Sequence, residues 1–262
     1  MKKLTLLVTI ISLCLGLLPA SAQFGQTAGG GSPMDDALSR VFGTNLNFSA
    51  AMETQIKMMP QQENITMSGK MYFANGNSRS ELDMAQMKGG KIPPEAIAQM
   101  KAMGMDKVIS ISRADKKLLY MIYPGLLCYA QVVLPDAKTA QTNDFKVAST
   151  ELGKETLDNH PCIKKQYTIS NTKTGQRLIL TTWNATDLNN SPIKIEQSAW
   201  SNTASAAGTS TTMHFTDINL TQPADSLFQP PAAYTKYDNL QTMMQTEMMK
   251  KMGGGMGKPP GR

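Results

Sequence analysis

The sequence predicts a mainly β protein with an α lid. Its core is expected to be an incomplete antiparallel barrel, a strongly curved sheet of about ten or eleven strands, carrying N-terminal, inserted and C-terminal helices. Three observations lead there. From Phe48 onward, apolar residues recur at every second position, the period of a strand with one covered face. Turn formers such as Asn75-Gly76 punctuate these runs at short intervals. Three stretches, 33–42, 85–105 and 238–252, break the alternation and place apolar residues at helical spacing instead.

The elements follow in order. Lys2-Lys3, an apolar run from Leu4 to Leu18, and Pro19-Ala20-Ser21-Ala22 have the layout of a secretory signal peptide over residues 1–22, with cleavage after Ala22. Leu13 before Cys14 is too large for a lipoprotein signal, so the expected product is soluble and exported to the periplasm of a Gram-negative bacterium. Residues 23–31, QFGQTAGGG, form a flexible linker. The domain is then expected over 32–237. Ser32-Pro33-Met34-Asp35 starts a helix whose Met34, Leu38, Val41 and Phe42 share a face and which stops at Gly43.

Strands follow through Phe48–Met58 and Ile65–Phe73, and Asn75-Gly76 turns the chain back through Ser80, Leu82 and Met84. Residues 85–105 read as a mobile, Met-rich helical lid, with Gly89-Gly90 as a break and Pro93-Pro94-Glu95 as the helix start. Strands resume at Val108–Arg113, Leu118–Tyr123 and Leu126–Leu134. A hairpin of Val147–Leu157 and Cys162–Ile169 is expected to turn over the four residues 158–161. Arg177–Trp183 and a return strand flank the turn formers Asp187 and Asn189-Asn190-Ser191, with Ile193, Ile195 and Ala199 facing one way. After a last strand near Thr211–Leu220, Asp225 is placed to cap one turn that buries Leu227 and Phe228. Leu240, Met243, Met244, Met248 and Met252 stripe a Met-rich amphipathic helix over 238–252, and 253–262 is a disordered tail.

Composition narrows the function classes. The formal charge of +6 falls to +4 once Lys2 and Lys3 are removed, and no basic block interleaves with aromatics, so nucleic acid is an improbable partner. His160 and His214 are the only histidines. No metalloprotease, redox-dithiol, nucleophile-elbow or phosphate-loop motif appears, so no catalytic residue, no enzyme activity and no cofactor is expected. The methionines, twenty in all, raise Cu(I) through the pairs Met243-Met244 and Met248-Met249. Adaptable apolar packing explains them better, so no metal site is assigned. Cys128 and Cys162 form an even pair in an oxidising compartment, which favours a disulfide between them over two buried free thiols.

SGKMYFANGNSRSELDM, a strand ending LLYMIYP, ELGKETLDNHPCIKKQYTI, WNATDLNNSPIKIE and ADSLFQPPAAY together resemble a family of exported bacterial proteins of unknown function. That family is similar to the periplasmic lipoprotein carrier and receptor, LolA and LolB. The resemblance spans about residues 45–237 and implies a half-barrel with a concave apolar interior and helices as a lid. It implies no catalytic motif. With one-sided strands and Met-rich helices, it points to a noncatalytic carrier for a lipid, acyl chain or lipidated protein, with peripheral contact to the envelope membrane. The expected groove and lid residues are Met67, Met71, Leu82, Met84, Ile97, Met100, Met103, Ile193 and Ile195. An envelope structural or interaction domain with a filled interior is the alternative.

Overall fold

The two-residue period that runs through the sequence is realised, among the described residues, as one sheet of thirteen strands. The computed structural model describes residues 46–58, 63–90, 92–133, 145–172, 175, 177–200 and 209–253. The expected signal peptide, linker, first helix and the tail from 254 onward lie outside the described residues, as does the 201–208 connection. The strands are β1 (Phe48–Met58), β2 (Glu63–Ala74), β3 (Asn77–Asp83), β4 (Lys88–Gly89), β5 (Lys107–Arg113), β6 (Leu118–Tyr123) and β7 (Cys128–Val133). They continue as β8 (Phe145–Leu157), β9 (His160–Asn171), β10 (Arg177–Ala185), β11 (Ser191–Trp200), β12 (Thr209–Asn219) and β13 (Thr235–Tyr237). Two helices, α1 (Pro94–Ala102) and α2 (Leu240–Gly253), complete the described elements.

The strand order is β13-β7-β6-β5-β3-β2-β1-β12-β11-β10-β9-β8, with β4 paired to β2 off that path. All pairs are antiparallel except β13 with β7. The end strands β13 and β8 do not pair, so the sheet is open, as an incomplete barrel requires. The two strands beyond the expected number are β4 and β13, of two and three residues, too short to show an alternation.

Turn chemistry sets the register. Asn75 (φ 52°) and Gly76 (φ 77°) make the two-residue turn between β2 and β3, because both tolerate positive φ. Asp158 (φ 50°) and Asn159 (φ 65°) do the same between β8 and β9. The expected four-residue turn is therefore a two-residue one, and His160 and Pro161 already belong to β9. Between β10 and β11 a short 3-10 turn, Thr186–Leu188, leads into left-handed Asn189 and Asn190.

Residues that pair across antiparallel strands share a face, so the register sorts every side chain to one side of the sheet. Phe48, Ala50, Met52, Phe73, Ile169, Leu178, Leu180, Ile195 and Phe215 form one cluster on the side called inner here. Along the same face, Ile56, Ile65 and Met67 pack under Ala96 and Met100 of α1. Met121, Tyr123, Cys128 and Ala130 pack under Met243 and Met244 of α2. Both helices thus cover the inner face.

Their ends follow ordinary capping rules. Pro94 opens α1, with Glu95 in its first turn and Lys101 in its last. The Asn239 side chain accepts from the Thr242 amide at 2.7 Å, capping α2. At its far end α1 exits through Gly104 (φ 74°), which lies so close to Gly125 that a Cβ on either would sit 2.5 Å from the other's carbonyl oxygen. Within 85–105, Met87 and Met100 are buried and β4 pairs with β2, so the insertion packs against the sheet.

The outer face carries two smaller clusters. Ala74, Ile111, Tyr120 and Ile122 pack under Phe228, which the chain reaches through the 3-10 turn Asp225–Phe228. The turn begins at Ala224 with no side-chain cap, so Asp225 does not take the capping role expected of it. Asp225 instead pairs with Arg113 at 3.4 Å, and Arg113 also donates to the Phe228 carbonyl at 3.3 Å and to Asp115 at 2.6 Å. Arg79 holds the Leu227 carbonyl at 2.8 Å. The second outer cluster joins Cys162, Trp183, Ala185 and Ile193.

Candidate functional site

The inner face is the candidate binding site. Its two helices cover opposite stretches and leave the strands between them half-buried. Leu82 touches both the β1–β2 core and the α1 cluster, and Val108 touches both helix clusters, so the apolar lining is continuous from one helix to the other.

Most expected groove residues meet on this face. Met67, Met84, Ile97 and Met100 lie in the α1 cluster, with Leu82 against it. Met71 and Ile195 belong to the neighbouring core. Met103 sits against the α2 cluster. Ile193 departs from its expected place. It is buried in the outer cluster with Trp183, not beside Ile195. The cause is a β-bulge: Trp183 pairs with Lys194 and Asn184 with Pro192, so Ile193 is the extra residue and turns to the opposite face.

Several lining residues were not anticipated. Met87, Met105 and Met121 are buried in the helix clusters. Met121 lies in LLYMIY, an unbroken apolar run covered on both faces, where no alternation marks which side is inner. Methionine is suited to this position, since its unbranched thioether chain fills irregular space and adapts to changing contacts.

The expected disulfide is not formed. Cys128 and Cys162 are both free and buried, in separate clusters on opposite faces and nine strand positions apart in the sheet. A bridge needs alpha carbons within about 7 Å, which this topology does not bring together. Burial, then the nearby Glu247 carboxylate, pushes the Cys128 thiol up to about 11. Burial also raises Cys162, whose thiol donates to the His160 carbonyl at 3.3 Å.

The ionisable groups sit elsewhere. His160 Nδ1 lies 2.8 Å from Asp187, and His214 bonds to Asp158. Both imidazoles are half-buried rather than fully exposed, tied to turns at one end of the sheet. Trp183 on the outer face lies between the Lys164 and Lys194 ammonium groups, 4.5 and 4.4 Å from its ring centre, and donates to Glu155. Among the described residues, no three His, Cys, Asp or Glu side chains are placed to hold a metal ion. The methionine pairs of α2 diverge. Met243 and Met244 are packed against β6 and β7, while Met249 is 69% exposed. Between them sits Glu247, buried in the apolar stripe and held by Tyr237 Oη at 2.6 Å and Lys250 Nζ at 2.7 Å. No described helix is long and apolar enough to cross a membrane.

No family model and no curated protein matches the chain. Solved structures similar to it include the lipoprotein LppX of Mycobacterium tuberculosis, at 9% identity and TM-score 0.36, over 73% of this chain and 94% of that one. A putative outer membrane lipoprotein-sorting protein domain from Vibrio parahaemolyticus aligns at 9% identity and TM-score 0.34, over 75% and 98%. A DUF1329 family protein from Desulfovibrio piger aligns at 12% identity and TM-score 0.33, over 77% and 97%.

Proposed function

We propose that this chain is a noncatalytic binding or chaperone module of the bacterial envelope, holding a lipid, acyl chain or lipidated protein against the inner face of its open sheet. One observation carries the reading. Leu82 and Val108 pair across β3 and β5 and stay half-buried between two helices that each bring methionines to that face. A chain laid over this pair would be removed from water at about 0.8 kcal/mol per methylene. Native mass spectrometry of the gently extracted protein tests the idea. The expected spectrum shows a bound lipid mass, and a uniformly bare chain with no uptake from added lipid would overturn it.

The alternative, an interaction domain working through α2, has less support. Met243 and Met244 are spent on packing, which leaves Met248 half-buried and Met249 exposed. Removing residues 238–262 separates the readings: lipid uptake that persists favours the groove, and loss of a protein partner from an otherwise intact domain favours α2.

A further inference from the structure

Beside the apolar Leu82–Val108 pair, the inner face carries a polar patch. Ser78 and Ser80 of β3 lie opposite Ser112 and Ser110 of β5, a two-by-two block of hydroxyls. The register places all four on the side of Leu82 and Val108, and each is half-buried. Met71 and Phe73 flank the block on β2, and Met121 and Leu119 on β6. The structure gives none of the four hydroxyls a side-chain hydrogen-bond partner among the described residues. Ile109 and Ile111, which alternate with these serines, face the outer side.

A purely hydrocarbon ligand covering this block would strip water from hydroxyls and return nothing, a net cost. A ligand with acceptor oxygens at that point would keep them satisfied. We infer that the serine block is a polar subsite within the groove, reading the carbonyl linkage of an acylated amphiphile while the methionine-lined stretches on either side take its chains. Each serine O–H donates to a carbonyl oxygen of the ester or amide that joins chain to head. The inference rests on the proposed carrier role and narrows it from any apolar chain to carbonyl-linked ones.

The test uses the exported full chain and the fluorophore N-phenyl-1-naphthylamine as an apolar reporter. Displacement is measured with an ester-linked dioleoyl phosphatidylglycerol, its dialkyl ether counterpart of equal chain length, and a diacylglyceryl-cysteine peptide. The wild-type protein should prefer the carbonyl-bearing ligands over the ether by about tenfold, the scale of one to two net hydrogen bonds. Whether phospholipid or lipopeptide displaces better tells which source of the linkage is taken. Ser80→Ala/Ser110→Ala should abolish the preference by weakening ester binding while ether binding holds. Ser80→Thr/Ser110→Thr, which retains both hydroxyls, should keep it. Equal displacement by ester and ether in the wild type, or an unchanged preference in the alanine variant, overturns the subsite and leaves the carrier intact. Failure of the reporter and all three ligands to bind overturns both.

Discussion

The two halves of the sheet handle the same alternation in opposite ways. In β9–β11, Ile169, Leu178, Leu180 and Ile195 point inward, and Lys164, Thr181 and Glu196 point outward, as a one-sided antiparallel sheet should. In β3–β6 the outer side is the drier one over Ile109, Ile111, Tyr120 and Ile122, because the 225–234 segment lies across it, and serines turn inward. A period-two pattern fixes which residues share a face. It does not say which face a later segment will cover.

The largest effect should come from removing that cover. Phe228 is 1% exposed, and Phe228→Ala is expected to cost about 3–5 kcal/mol in urea unfolding. Hydrogen exchange should then speed in β5–β7 and stay slow in β9–β11; uniform acceleration across both halves would show that they do not differ in this way. Arg113→Met, which frees Asp115, Asp225 and the Phe228 carbonyl, should cost about 1–3 kcal/mol and loosen the same strands. On the opposite half, Trp183→Phe keeps the apolar bulk but loses the Glu155 bond and weakens the stack with Lys164 and Lys194. A loss of about 1 kcal/mol, confined to β8–β11, is expected.

The smallest effect concerns α2. Burial would raise the Glu247 carboxyl, but bonds from Lys250 and Tyr237 outweigh it and hold the group below its ordinary value of 4.5. Its contribution is complete above that value and is lost as the pH falls through the lowered one. Exchange of α2 amides should therefore quicken only in acid, and Glu247→Gln should flatten the dependence. Cys128 reports the same helix at pH 8. Its raised thiol should alkylate slowly in the wild type and faster in Glu247→Gln. Unfolding without reductant should release Cys128 and Cys162 as reactive thiols, and failure of both to react would restore the disulfide.

Much of the fold was legible. Asn75-Gly76 fixed one hairpin, and Pro93-Pro94-Glu95 with Ile97, Met100 and Met103 announced the inserted helix. What escaped was non-local. β13 pairs with β7 across more than a hundred residues, and three residues carry no period of their own. The bulge that turns Ile193 away depends on how Trp183 and Asn184 pair, which spacing within one strand cannot show. The cysteine pair misled because an even count says nothing about distance through a sheet. Ser80 shares its expected face with Leu82 and Met84, but that it meets Ser78, Ser110 and Ser112 in one block follows only from how β3 pairs with β5.

The back-to-back glycines have a mechanical consequence. Gly104 and Gly125 clamp the exit of α1 to the corner joining β6 and β7, and a side chain on either would force that corner apart. The exit of α1 and the β6–β7 connection are thus one joint, and neither can be widened without displacing the other.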